Sequence, residues 1–140
     1  MSFDQISEDR IYQDDRLRMI KEHNIFLLKA LASVRHQKHK IAQDWLDDAF
    51  YCGLEAVKDN NQFYTKEIYN TYHKYYAEFK KIKYFEGAKW CLLQVTVYLK
   101  NLKLPKEQKT KILAGILKKY KNSNGDTGEV KARWQNPSYR

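Results

Sequence analysis

The side chains best suited to metal binding or nucleophilic chemistry in this sequence are four histidines and two cysteines. His36 and His39 stand three residues apart and could share one helix face, as two zinc ligands can. Cys52 and Cys91 each stand without a close Cys or His partner. Structural zinc takes four ligands that usually come in close pairs, so this set predicts no metal site and no cofactor. Gly-rich phosphate-binding loops and nucleophile elbows are also missing from the sequence.

An arginine and a histidine near the N-terminus have the spacing of a catalytic pair. Four residues separate Arg18 from His23, and six separate Arg16 from His23. These spacings resemble the Arg–His motif of the HEPN-type helical ribonucleases. The resemblance implies a histidine that transfers protons and an arginine that stabilises the phosphate. A polar residue commonly follows the arginine in that family, whereas Met19 follows here, and the motif lies in the first helix instead of late in the chain. A ribonuclease that uses Arg18 and His23 is therefore the remote alternative, and the sequence favours a non-enzymatic protein.

The most unusual segment of the chain is rich in lysine and tyrosine. Residues 62–85 contain six of the eleven tyrosines, interleaved with lysines. Single-stranded nucleic acid binds to a positive groove with aromatic rings on which bases stack, so this composition predicts such a groove. Helical spacing assigns Tyr64 and Tyr75 to the core and Tyr69 and Tyr76 to the stacking surface, although a core position is the alternative for any such tyrosine. The predicted nucleic-acid-binding residues are Lys74, Lys80, Lys81, Lys83, Lys89, Tyr69 and Tyr76.

The charge of the protein is unevenly distributed along the chain. Residues 1–60 contain nine Lys and Arg against eleven Asp and Glu, a net charge of −2. Residues 61–140 contain seventeen against six, a net charge of +11. Most of the cations are lysines, which act as mobile point charges suited to phosphates more than to base edges. The second half therefore predicts binding to a polyanion, DNA or RNA, with little sequence preference.

Apolar residues recur every three or four positions through most of the sequence, which is the helix period. The polar residues 36–40 leave open whether the first two helices are continuous. The apolar run 91–99 would suit a strand, but we predict a buried helix because the chain offers no strand to pair with it. The expected fold is all-α, a single compact bundle of four or five helices over residues 1–121. Its core is expected to include Trp45, Phe50, Leu93 and Leu117.

The last part of the chain, residues 122–140, is predicted to be a flexible basic tail. Its opening residues 122–128 include two glycines and no large apolar side chain, which is typical of a segment that ends a helix. Trp and Arg often dominate binding interfaces, so the tail is expected to become ordered on a partner. The residues predicted to bind that partner are Lys131, Arg133, Trp134, Tyr139 and Arg140.

These patterns favour a non-enzymatic nucleic-acid-binding protein, a small accessory subunit of a larger assembly. The alternative is a protein–protein adaptor or a structural, virion-type component whose C-terminal tail docks on a partner. A membrane partner is not expected, because no apolar run approaches the ~20 residues that span a bilayer. Acidic residues also stand where a signal peptide would be basic, so a cytoplasmic location is expected.

Overall fold

A computed structural model describes the backbone of residues 3–136 and the side chains of residues 15–136. The described residues are helical and form no strand, which confirms the prediction of an all-α fold. Residues 91–99 lie within a helix, as predicted, and residues 36–38 separate the first two helices. The helices are α1 (Phe3–Arg35), α2 (His39–Ala56), α3 (Gln62–Lys81), α4 (Phe85–Asn101), α5 (Lys106–Asn122) and α6 (Thr127–Gln135).

Four of these helices are followed by a non-glycine residue in the left-handed conformation. The residues are Gln37 (φ 62°), Asn60 (φ 54°), Lys83 (φ 60°) and Asn124 (φ 63°). Such a residue reverses the chain and lets the amides that follow bond to the last carbonyls of the helix. After α5, for example, the Gly125 amide donates to the Tyr120 carbonyl (3.0 Å) and the Asn124 amide to the Lys121 carbonyl (3.1 Å). The short links between helices are thus built without glycine at the reversing position.

The chain divides into two compact units, one up to Tyr64 and one from Thr65 onward. In the first, here called unit 1, α1 and α2 pack along each other. Apart from Leu46, the buried residues of α2 are small, which allows the helices to approach closely; they are Ala42, Ala49, Gly53 and Ala56. Near the end of this unit, the buried Arg16 guanidinium pairs with the Asp59 carboxylate and lies 5.8 Å from the centre of the Tyr64 ring.

The second unit, unit 2, is built around α4. Every residue from Cys91 to Leu99 is buried, because α5 and α6 pack against α4 and α3 contacts it through aromatic rings. The Tyr72 ring of α3 lies 5.5 Å from Trp90 and 5.7 Å from Tyr98, measured between ring centres. A helix that is apolar on all sides is buried on all sides, which is why its sequence shows no amphipathic period.

The prediction of one bundle of four or five helices is not confirmed, because the described residues form six helices in two units. The prediction of a flexible tail from residue 122 is not confirmed either. Within that stretch α6 begins after Asp126, whose carboxylate accepts a hydrogen bond from the Gly128 amide (2.9 Å). Val130 of α6 is fully buried, and α6 packs against α4 and α5. A short helix with a capping residue and one buried anchor thus occupies part of the predicted tail.

The predicted core residues have mixed outcomes. Leu93 is buried, as predicted, whereas Trp45, Phe50 and Leu117 are only half-buried. Trp45 stacks on Phe26 at the edge of the α1–α2 seam, and its ring is covered by the Lys29 ammonium at 4.6 Å. None of the described helices is both long and apolar enough to cross a bilayer.

Candidate nucleic-acid interface

One side of α3 carries aromatic and basic side chains at helical spacing. Residues three, four and seven positions apart share a helix face, so the backbone places five side chains of α3 in one stripe. We call this stripe the Tyr69 flank; its members are Lys66, Tyr69, His73, Tyr76 and Lys80. The two acids of α3, Glu67 and Glu78, fall on the other side of the helix by the same geometry. The Tyr69 flank therefore carries cationic and aromatic side chains, and α3 contributes no acidic side chain to it.

Lysines from two helices converge on the ring of Tyr76. The Lys80 ammonium lies 5.8 Å from the ring centre and the Lys119 ammonium of α5 lies 5.6 Å from it. Tyr76 is only 5% exposed, and its buried hydroxyl has no hydrogen-bond partner among the described residues. Its ring is therefore covered, and the predicted role of Tyr76 as a surface on which bases stack is corrected to one of positioning two lysines. The ring face attracts both ammonium groups, which holds them on the same part of unit 2.

The accessible rings of the Tyr69 flank are those of Tyr69 and His73. Both are half-buried, and they meet edge to face with 4.7 Å between ring centres. Burial raises the pKa of the Tyr69 hydroxyl. Burial also lowers the pKa of His73, and the positive charge of Lys119 lowers it further. The pair is therefore uncharged at neutral pH and lies beside two exposed ammonium groups.

The other lysines of the predicted set lie elsewhere. Lys74 and Lys81 directly follow His73 and Lys80, so they project about 100° around α3 from those two residues. There Lys81 pairs with Glu78 at 3.9 Å. Lys89 is on α4 and pairs with Glu86 at 3.5 Å. Lys83 belongs to the link after α3. The structure thus brings together Tyr69, Tyr76 and Lys80 of the predicted set and separates the remaining four.

Two residues of the candidate interface were missed from the sequence. His73 stands four residues after Tyr69 and three before Tyr76, so the same helical spacing would have found it. Lys119 is 43 positions from Tyr76 along the chain, and only the packing of α5 beside α3 places it there.

The residues predicted to bind a partner through the tail are partly held in α6. Lys131 is exposed, whereas Arg133 and Trp134 are half-buried. The Lys100 ammonium donates hydrogen bonds to the carbonyls of Arg133 (3.2 Å) and Asn136, so α4 holds the end of α6. Tyr139 and Arg140 lie outside the described residues.

The candidate ribonuclease pair does not assemble into an open site. Arg18 is exposed and lies 3.6 Å from Asp15, while His23, five positions on, is fully buried on another side of α1. Arg16 does share a face with His23, but it is buried and engaged with Asp59. Burial, partly offset by a hydrogen bond with Asn24, lowers the pKa of His23 to about 4. His23 is thus neutral at pH 7 and shielded from substrate.

The cysteines are not poised for nucleophilic chemistry. Burial raises the pKa of the Cys52 thiol, and the neighbouring Glu22 and Asp48 carboxylates raise it further. Burial alone raises the pKa of Cys91. Both thiols therefore stay protonated at neutral pH, whereas the reactive form is the thiolate. Over residues 15–136, no three His, Cys, Asp or Glu side chains come close enough together to hold a metal ion.

The comparisons with known proteins give no relative: no family model, no curated protein and no solved structure matches this chain.

Proposed function

We propose that the protein is a non-enzymatic nucleic-acid-binding protein that acts as a small accessory subunit of a larger assembly. The observation that carries this proposal is the convergence of Lys80 and Lys119 on Tyr76, beside the accessible Tyr69–His73 pair. Two lysines on separate helices supply positive charge for adjacent phosphates, and a half-exposed ring supplies a surface for one base. Because lysine contacts phosphates as a point charge, the binding would show little sequence preference.

The composition of unit 2 supports the same function. Residues from 65 onward contain seventeen Lys and Arg against six Asp and Glu, so this unit alone carries a net charge of +11. A field of one sign raises the rate of encounter with a polyanion. The aromatic pair favours unpaired bases over a duplex, because bases within a duplex are already stacked on each other.

The test compares two double variants that each remove two positive charges from unit 2. Lys80→Gln with Lys119→Gln removes two lysines of the proposed interface, and Lys74→Gln with Lys81→Gln removes two lysines of α3 that lie outside the Tyr69 flank. Affinity for fluorescent single-stranded and duplex DNA and RNA is measured by anisotropy between about 50 and about 200 mM salt. The first variant is expected to make the negative slope of log K against log salt shallower by roughly 1.4 for single strands, at about 0.7 per phosphate contact.

The second variant is expected to change the slope much less, because its lysines lie outside the interface. Equal losses in the two variants would show that the contact is spread over the charge of unit 2 and not made at the Tyr69 flank. If the unmodified protein bound none of these nucleic acids at low salt, the proposed function would be wrong.

A protein–protein adaptor is the second candidate function, and a different observation favours it. Leu17, Ile25 and Leu28 of α1 are 46% to 56% exposed, and their spacing places them within about 80° of one another around the helix. Contacts through such side chains depend little on salt, whereas phosphate contacts weaken steeply as salt increases. A partner whose binding is lost in Leu28→Glu and is insensitive to salt would favour the adaptor.

A further inference from the structure

His73 occupies the centre of the Tyr69 flank. Tyr69 precedes it by one turn and contacts its ring, Tyr76 follows it by one turn, and Lys80 follows by two turns. From α5, the charged group that acts on it is Lys119, which also lies against Tyr76. His73 thus stands among the groups that the proposed function assigns to nucleic acid: a base-stacking ring and two phosphate-binding lysines.

The surroundings of His73 keep its ring neutral in the free protein. Burial disfavours the imidazolium ion, and the nearby Lys119 ammonium repels a second positive charge. A phosphate bound at Lys119 would reverse the second effect, because its negative charge offsets the ammonium and itself attracts the imidazolium. The same phosphate can accept a hydrogen bond from the protonated ring, which makes that bond charge-assisted.

We propose that His73, Lys119 and Lys80 form one phosphate-binding subsite for the backbone of single-stranded nucleic acid, and that binding there adds a proton from solvent to His73. This inference rests on the proposed function, since it concerns the same surface. Because the complex takes up a proton, affinity levels off below the lowered pKa of His73 in the free protein and rises as the pH falls through the higher pKa of His73 in the complex. Well above that higher pKa, binding relies on the lysines alone.

Anisotropy titrations with a labelled single-stranded oligonucleotide test this inference. They are made at constant salt at about pH 5.5, 6.5 and 7.5, a range in which the buried His23, with a pKa of about 4, stays neutral. The unmodified protein is expected to bind roughly five- to tenfold more tightly at the lowest pH than at the highest. His73→Gln is expected to abolish that difference, so that its affinity is the same at the three pH values.

His36→Gln is the matched control, because His36 is exposed in the link between α1 and α2 of unit 1. This variant is expected to retain the pH dependence of the unmodified protein. An NMR titration of the His73 ring protons gives a second readout without any substitution. The pKa of His73 is expected to rise when the oligonucleotide is added.

The possible failures are distinguishable. If His73→Gln keeps the full pH dependence, or the pKa of His73 is unchanged by the oligonucleotide, the proton-coupled subsite is wrong and the proposed function stands. If the unmodified protein binds no oligonucleotide at any of these pH values, the proposed function itself is wrong. A salt-dependent affinity without pH dependence would likewise overturn only the subsite.

Discussion

Tyr69 is the more exposed tyrosine of the candidate interface, since Tyr76 is buried and Tyr69 is only half-buried. Stacking of one base on an aromatic ring contributes about 1 to 3 kcal/mol. We therefore expect Tyr69→Ala to weaken single-strand binding by that amount and Tyr69→Phe to retain it. Duplex binding should change little in either variant. The control is Tyr51→Ala, which removes a 66% exposed tyrosine of unit 1; if it weakened binding as much, stacking would not be specific to Tyr69.

His23 makes the stability of unit 1 dependent on pH. Its pKa is about 4 in the folded protein and about 6.5 when unfolded, because burial disfavours the charged ring. The unfolded chain therefore takes up the proton first, and the stability present above pH 6.5 is lost as the pH falls toward 4. At about 1.4 kcal/mol per pKa unit, the loss by about pH 4.5 is about 2 to 3 kcal/mol.

Urea unfolding of His23→Leu at about pH 7 and pH 4.5 measures this contribution. The variant is expected to lose about 2 to 3 kcal/mol less on acidification than the unmodified protein. The exposed His36 is again the control, and His36→Gln should lose as much as the unmodified protein. An unchanged loss in His23→Leu would mean that His23 is not buried as described.

At this scale the sequence predicted residue types better than residue positions. The lysine and tyrosine content of α3 was enough to predict a basic aromatic surface, because composition alone records it. The burial of individual tyrosines was harder to predict, since Tyr69 and Tyr76 are two turns apart and lie within about 20° of each other around the helix. The position of Lys119 beside Tyr76 could not be predicted, because it depends on how α5 packs against α3. The spacing of nearby residues does not determine the packing between distant segments.

Substitutions of two glycines in unit 2 test the described structure of α5 and of the turn that follows it. Gly115 lies exposed within α5, and an added Cβ would meet no atom within 4 Å. Gly125 follows α5, where an added Cβ would press against the Tyr120 ring and lie 2.9 Å from its carbonyl oxygen. Gly115→Ala should stabilise the protein by about 0.5 to 1 kcal/mol, because alanine is the better helix former.

Gly125→Ala should instead destabilise by about 1 to 3 kcal/mol, because the carbonyl oxygen belongs to the helix and cannot move aside. Urea unfolding of the two variants measures both changes. Since both replace glycine by alanine, any general effect on the unfolded chain is the same and cancels in the comparison. Equal changes in the free energy of unfolding of the two variants would contradict the described turn.

The last helix provides a second element-scale prediction. Val130 of α6 is fully buried, so Val130→Ala should cost about 1.5 kcal/mol, at about 0.8 kcal/mol for each lost carbon. Ending the chain at Asn122 should cost more, because it also removes the hydrogen bonds from Lys100 to α6. Thermal unfolding measures both, with Lys131→Ala at an exposed position as control. A melting temperature unchanged by the truncation would restore the prediction of a loose tail.

The helices differ in how clearly the sequence predicts them. Amphipathic period and turn residues were sufficient for α2, α3 and α5. The period fails in α4 because the helix is buried on all sides, so only the lack of pairing strands argued for a helix. Only one of the nine residues of α6, Val130, is buried. The capping residue Asp126 is the one local signal from which this helix could have been predicted.

Across the whole molecule, charge is segregated between the two units. Unit 1 carries a net charge of −2 and unit 2 a net charge of +11 when all their residues are counted. A polyanion is attracted to positive potential and repelled by negative, so the contact should be confined to unit 2. Under the proposed function, its lysines outside the Tyr69 flank would contribute to attraction at a distance, which salt screens, more than to direct contact.

Lysine modification of the complex tests this confinement. The protein is acetylated to low extent with and without a saturating single-stranded oligonucleotide, and each lysine is quantified by mass spectrometry. Protection is expected at Lys66, Lys80 and Lys119, because a bound phosphate covers the ammonium that would react. The lysines of unit 1 serve as internal controls and should react equally in both samples; these are Lys21, Lys29, Lys38, Lys40 and Lys58. Protection of that set, with Lys80 and Lys119 still reactive, would place the interface on unit 1 and contradict the electrostatic argument.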